Sequence, residues 1–248
     1  MFFRTYLIDN NTSVNCVHDI FVNVHKHYNR SLRQSINNEV LYGCLPKVGN
    51  PLHYNYIIMD GTKLNKILDN YNQGYLMPVS INNSDFMEFR AICDYVGKGT
   101  NDRKLQHLFL GKQILMKQMV LEKISAKFSK ITQIWDKGHG IVILHLFSET
   151  NHYEALSREY AMIKSLGLNN ITNDINGSSF GIMKSKWNLF EVMNYGNMIL
   201  YNSLKMAIQE NPPLIYPENI LRNPRFTSRK SSFEDFELEV ILNSFLEL

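Results

Sequence analysis

The sequence predicts an α/β fold, a small antiparallel sheet of about three strands flanked by helices, with N-terminal and C-terminal extensions. Three observations point to it. Short runs rich in β-branched and aromatic residues, "YNYIIMD" (54–60) and "IVILHLF" (141–147), have the length and composition of strands. Longer stretches such as "KFSKITQIWDKGHG", "HYEALSREYAMIKSLG" and "WNLFEVMNYGNMILYNSLKMAIQEN" carry apolar residues at helical spacing. Glycines and prolines fall at the ends of these runs, at Gly138, Gly167 and Pro212–Pro213, where they stop helices.

Taken in order, "FFRTYLI" reads as a strand. "HDIFVNVHKHYNRSLRQSI" reads as a helix, because Ile20, Val24 and Tyr28 share a face. Two prolines and a glycine in "LPKVGNP" (45–51) mark a boundary. Residues 1–50 therefore form an extension with no assigned role, 51–220 the main domain and 221–248 a tail. Within the domain, 54–60 is a strand, and "GTKLNKILDNYNQGYLMPVSINNSD" is a short helix followed by a polar loop. "FMEFRAICDYVG" returns as a strand ending at Gly97, and Thr100, Asn101 or Asp102 opens the next helix as its N-cap. Phe128, Ile131, Ile134 and Trp135 form the stripe of an amphipathic helix. "IVILHLF" is the most buried-looking strand, and two further helices follow it. The tail holds four basic residues in 222–230, then an acidic, apolar-rich end read as a short helix.

The bulk numbers set limits. A chain of 248 residues with 44% hydrophobic and 20% charged content can bury a sizeable core as a globular protein. A net charge of +3 neither demands nor excludes a polyanionic partner. Three irregularly spaced cysteines suit a reducing compartment better than a disulfide or zinc framework. The absence of a long apolar run or a signal-like start predicts no membrane contact, and the expected location is intracellular, nuclear and/or cytoplasmic. His18, His25, His27 and His53 match no zinc pattern.

The stretch "CDYVGKGTNDRKLQHL" (93–108) carries the chemistry. It lacks the Lys-Ser/Thr end of a P-loop and the third glycine of a dinucleotide fingerprint, so by itself GxG is an ordinary strand-to-helix turn. Two features go further. Arg103 and His107 are four apart and share a helix face, and Tyr95 ends the incoming strand two residues before Gly97. A phenol, a guanidinium and an imidazole around a glycine floor suit a phosphodiester, which Arg grips and the others serve with protons. Further on, Glu159 lies inside the apolar stripe of Ala155, Leu156, Tyr160 and Ile163. A carboxylate facing a core needs a partner, either an arginine or a metal ion. Glu154 and Arg158, four apart on the outer side, read as a solvated ion pair. Lys112, Lys117, Lys123, Lys127 and Lys130 either track a nucleic-acid backbone or form a solvated helix face.

Tyr54-Asn55-Tyr56, Tyr95-Val96-Gly97, Arg103, His107, Glu159 and Asn173 occur in the order of a GIY-YIG nuclease. The second motif is nearly intact, and the first keeps its final tyrosine, Tyr56. "YVGKGTNDRKLQHL", "IWDKGHGIVILHLF", "EALSREYAMIKSLGLNNITN" and "GSSFGI" resemble in particular the nuclease domain of the metazoan ankyrin-repeat and LEM-domain endonucleases, over roughly residues 52–220. Departures are the eight residues from Tyr95 to Arg103 and the 38 between Tyr56 and Tyr95, which make 61–90 an insertion. The chain has no room for ankyrin repeats or a LEM domain, so it is a fragment or a reduced relative.

The resemblance implies a metal-dependent DNA endonuclease that prefers branched, flapped or distorted DNA with little sequence specificity; of the oligomeric states, a monomer is favoured. Glu159 would hold Mg²⁺ (or Mn²⁺), and Arg103 would neutralise charge on the phosphoryl group. Tyr56 or Tyr95 would orient or deprotonate the attacking water, with Lys98 or the metal lowering the phenol's pKa, or His107 would be the base. Asn173 would shape the site, and Gly97, Lys98, Gly99, Arg103 and Lys104 would lie against the substrate. The rival readings are a non-catalytic DNA-binding module on a degenerate nuclease fold and a small-molecule enzyme using "YVGKG" as a phosphate turn.

Overall fold

The computed structural model describes residues 53–71, 81–117 and 124–220. The strand and helix expected within 1–50, the boundary at 45–51 and the tail at 221–248 lie outside these residues.

Three antiparallel strands form the sheet in the order β2-β1-β3, with β1 at His53–Asp60, β2 at Cys93–Gly99 and β3 at Ile141–Thr150. Helices α1 (Gly61–Leu68) and α2 (Asn83–Ile92) lie between β1 and β2, and α3 (Arg103–Leu115) and α4 (Ala126–Asp136) between β2 and β3. After β3 come α5 (His152–Leu166), the short α6 (Gly181–Lys186) and the long α7 (Leu189–Glu210).

Alternation along β1 sends its side chains to two cores. Ile57 and Met59 join Leu64, Phe89, Met162 and Leu200 from α1, α2, α5 and α7. Tyr54, Tyr56 and Ile58 face Leu108 of α3 and Ile131, Ile134 and Trp135 of α4. The expected stripe on α4 and the glycine stop after it both form, with Gly138 at a φ of 71°. Asp102 is the N-cap of α3, but its side chain makes no capping bond.

Three expectations need correction. "FMEFRAI" is helix, and the strand begins only at Cys93. Asn82 caps the helix by accepting the Asp85 N–H at 2.8 Å, and Phe86, Phe89 and Ile92 bury themselves at three-residue spacing, a helical period. The most buried strand is β1 rather than 141–147. As the central strand it is covered on both faces, whereas β3 is an edge strand whose Phe147 is 38% exposed.

Glu154 and Arg158 are not solvated. The two residues are paired and buried at 1% and 5% exposure. Helix α5 packs between the sheet and α7, so its supposed outer face meets other protein. Tyr195 of α7 lies 3.4 Å from Arg158 Nε, and the Phe147 ring lies 4.0 Å below the guanidinium. Residues 61–90, read as an insertion, supply core residues among their described positions, including Leu64, Ile67, Phe86 and Phe89.

Candidate active site

The site forms where the end of β2 meets α3, α4 and α5. In the sheet register Tyr56 stands opposite Gly97, and a Cβ at Gly97 would fall 2.5 Å from the Tyr56 ring. Only glycine lets this phenol lie across β2. A Cβ at Gly99 would meet the Tyr54 hydroxyl and the Arg103 Cβ at 3.1 Å each. Both glycines of "YVGKG" thus make room for side chains of the site wall. Tyr54 fixes the turn that follows: its hydroxyl donates to the Asn101 carbonyl at 2.7 Å and accepts the Lys104 N–H at 3.3 Å. That turn starts α3 and places Arg103 and His107 over β2.

At the centre, the Tyr56 hydroxyl and His107 Nε2 share a hydrogen bond of 2.7 Å. The Tyr95 ring completes a triangle, 6.0 Å from Tyr56 and 5.5 Å from His107 between centroids. Tyr56 is fully buried and Tyr95 half-buried, so Tyr95 presents the more accessible phenol. Burial pushes the Tyr56 hydroxyl well above its ordinary pKa, and the neighbouring Tyr95 adds to the shift. Tyr95 is raised to about 12, chiefly by burial and then by the Glu159 carboxylate. Among the protein's own groups, loss of water outweighs the pull of Arg103 on both phenols. His107 moves the other way. Burial, then Lys127 and Arg103, hold its pKa well below the usual value, so the imidazole is neutral near pH 7.

The free edge of β2 faces Glu159 and Asn173. Asn173 pairs with it as a short strand would, donating Nδ2–H to the Val96 carbonyl at 2.7 Å and accepting the Val96 N–H at 3.0 Å. Thr172 N–H donates to the Asp94 carbonyl at 2.7 Å. Glu159 takes the next position by accepting the Lys98 N–H. Its carboxyl is raised to about 7 by burial, although Lys98 and Arg103 oppose this. Among the described residues, no three His, Cys, Asp or Glu side chains converge as a metal cluster. Glu159 offers a single hard oxygen ligand beside Tyr95, Lys98 and Arg103. That donor set fits a water-rich divalent ion of the Mg²⁺ type, which would restore charge to a desolvated carboxylate.

Of the ten residues expected at the site, Tyr56, Tyr95, Gly97, Lys98, Arg103, His107, Glu159 and Asn173 converge around the end of β2. Gly99 sits at its rim. Lys104 turns away, with its ammonium against His145 Nδ1 and 5.2 Å above the Tyr54 ring. The lysine series divides. Lys130 pairs with Asp94 at 3.0 Å, Lys112 donates to the Ile220 carbonyl at 2.7 Å, and Lys123 lies outside the described residues. Lys127 alone of these reaches the phenols, with Nζ 4.6 Å above the Tyr95 ring. Sequence reasoning did not separate it from its neighbours, since their spacing only suggests a common face. It named Tyr54 only within the first motif, and nothing in the sequence pointed to its part in holding the turn.

Comparison with known proteins identifies the family of this region. A family model described as the LEM-3-like GIY-YIG domain matches residues 53–222. Human ankyrin repeat and LEM domain-containing protein 1 is 30% identical over 128 residues, covering 51% of this chain and 20% of that protein. The mouse protein of the same name is 29% identical over 126 residues, covering 51% of this chain and 23% of its own. A homolog from Caenorhabditis elegans is 27% identical over 175 residues, covering 69% and 23%. The aligned part thus spans less than a quarter of each of these relatives. No solved structure matches.

Proposed function

This chain belongs to the LEM-3-like GIY-YIG domain family, which is a nuclease family, and from that premise we propose that it is a divalent-metal-dependent DNA endonuclease acting on branched, flapped or distorted DNA. The observation that carries the reading is the grouping of Tyr56, Tyr95, His107, Arg103 and Glu159 around one strand end. Those residues arrive from β1, β2, α3 and α5, and their joint chemistry is that of phosphodiester hydrolysis.

Glu159 would hold the metal ion, which would supply Lewis-acid activation of the phosphate and stabilisation of the departing 3′ oxygen. Arg103 neutralises charge that accumulates on the phosphoryl oxygens. Tyr95, the more accessible phenol, orients the attacking water through its hydroxyl. Neither phenol is acidified, so the proton's destination is the neutral imidazole of His107. The path runs through the Tyr56 hydroxyl, which shares one hydrogen bond with His107 Nε2 and another with the Tyr95 side chain, so the three groups form a continuous chain for a proton. This arrangement needs no phenolate, consistent with the raised pKa of both rings. Asn173 and the Lys98 N–H keep β2 and Glu159 in register.

The preference for distorted DNA is supported by what the site offers. Its groups suit phosphate, and nothing among its residues reads base edges. Nicking of a supercoiled plasmid with and without Mg²⁺ tests the activity. Cleavage of a duplex, a flap and a four-way junction sharing one sequence tests the preference. Cutting confined to one short sequence in plain duplex overturns the structural selectivity, and DNA binding without any nicking supports a non-catalytic module instead.

A further inference from the structure

We propose that Lys127 binds a non-bridging oxygen of the scissile phosphate, forming with Arg103 a two-cation clamp above Tyr95. The inference rests on the nuclease reading and extends it to a residue outside the motif set. Lys127 lies in the first turn of α4, and its half-buried stem runs between two rings. Nζ is 4.6 Å from the Tyr95 centroid and 5.1 Å from that of Phe128. Among the described residues it has no hydrogen bond and no ion pair. Aromatic faces attract a cation only weakly and leave its donors unused.

Its charged neighbours make the placement costly without a ligand. Arg103 repels the ammonium, His107 is disfavoured as a cation by both lysine and arginine, and Asp174 gives partial relief. Burial, then Arg103, lowers the lysine to about 8. Lys127 and Arg103 stand near one phenol, and Asp174 offsets only part of the lysine's charge, so an anion would complete the site. A phosphate is the anion the reading supplies. Arg103 brings a planar fork and Lys127 a point charge, so the two together can hold separate oxygens of one tetrahedral group.

A synthetic flap carrying a single methylphosphonate at the cut, mapped beforehand with the metal-loaded parent, tests the clamp. Affinity is measured in EDTA, where nothing is cut, across a salt series. The neutral linkage should weaken the parent by roughly tenfold, the size of one charge-assisted contact. Lys127→Gln should weaken binding of unmodified DNA by a similar factor and flatten the salt slope by about 0.7–0.9, one phosphate's share. The variant and the methylphosphonate together should lose little more than either alone, and Lys127→Arg should recover most of the affinity. Lys127→Met, which keeps the stem between the rings, replaces Gln if the Gln protein does not fold. Additive losses, or an unchanged salt slope, overturn the clamp while leaving nuclease activity standing. A parent that never cuts the flap overturns the nuclease reading, and the clamp with it.

Discussion

Tyr56 and His107, 51 residues apart in the chain, meet in a buried hydrogen bond of 2.7 Å between β1 and α3. Each is placed by a different core contact. Tyr56 lies over Gly97, and His107 stands one residue from the fully buried Leu108. The bond is therefore a consequence of two packings rather than of local sequence.

Removing that hydroxyl should affect chemistry more than folding. Tyr56→Phe keeps the ring over Gly97 and breaks the proposed route from Tyr95 to His107. Nicking should fall by roughly 10²–10⁴-fold, while stability drops by about 1 kcal/mol for the lost hydrogen bond. Tyr95→Phe should lose activity to a similar extent with a smaller effect on melting. Single-turnover plasmid nicking and thermal melts of both variants check this, and parent-like rates in both would remove the phenols from the proton path.

The imidazole of His107 should stay neutral well below pH 6.5. Its folded pKa is depressed by burial, Lys127 and Arg103, so the unfolded chain binds the proton first. Stability is then complete above the unfolded value of about 6.5 and is lost as pH falls below it. Histidine-selective NMR titration should show no protonation of this ring near pH 6. A melting series should show a shallower acid slope for His107→Gln than for the parent.

Glu159→Gln should abolish nicking while leaving the fold intact. The folded carboxyl is raised to about 7, so its charged form costs stability above that pH and costs nothing below the unfolded value near 4.3. The amide lacks that cost, and the variant should melt no lower than the parent at pH 8. Saturating Mg²⁺ should raise the parent's melting temperature through binding to the folded state and leave the variant's unchanged. Full metal-dependent activity in the folded variant would exclude Glu159 as the ligand.

Breaking the buried pair in α5 should be a stability event with little chemistry in it. Glu154→Gln leaves the Arg158 charge enclosed at 5% exposure and should cost about 3–5 kcal/mol. Replacing both partners with apolar residues should cost much less, because no unpaired charge remains. Urea unfolding of the single and double variants distinguishes this from a solvated pair, for which all three proteins would unfold alike.

Much of the fold was legible in the sequence because the signals are local. Strand composition at 54–60, the glycine stops at Gly138 and Gly167, and the apolar stripe of Phe128, Ile131, Ile134 and Trp135 all act within one element. The order of Tyr56, Tyr95, Arg103, His107, Glu159 and Asn173 also sufficed to pick out the family, since a motif set is a linear property. The residues 86–92 misled because a short apolar run with two phenylalanines suits strand and helix equally. The Asn82 cap and burial against α7 decided for helix.

What only the tertiary structure decided is which side chains lose water and whom they face. Helix periodicity placed Glu154 and Arg158 outside, yet α7 covers them. Lys112, Lys127 and Lys130 parted company because the Ile220 carbonyl, the Tyr95 ring and Asp94 lie in different directions from α3 and α4. Burial raises both phenols, an effect that depends on which elements cover Tyr56 and Tyr95. Burial and long-range pairing are sums over elements distant in the chain, so no window of sequence contains them. The chain's own sequence thus determined the elements, the family and the cast of reactive groups. Packing determined their charge states and which of them touch.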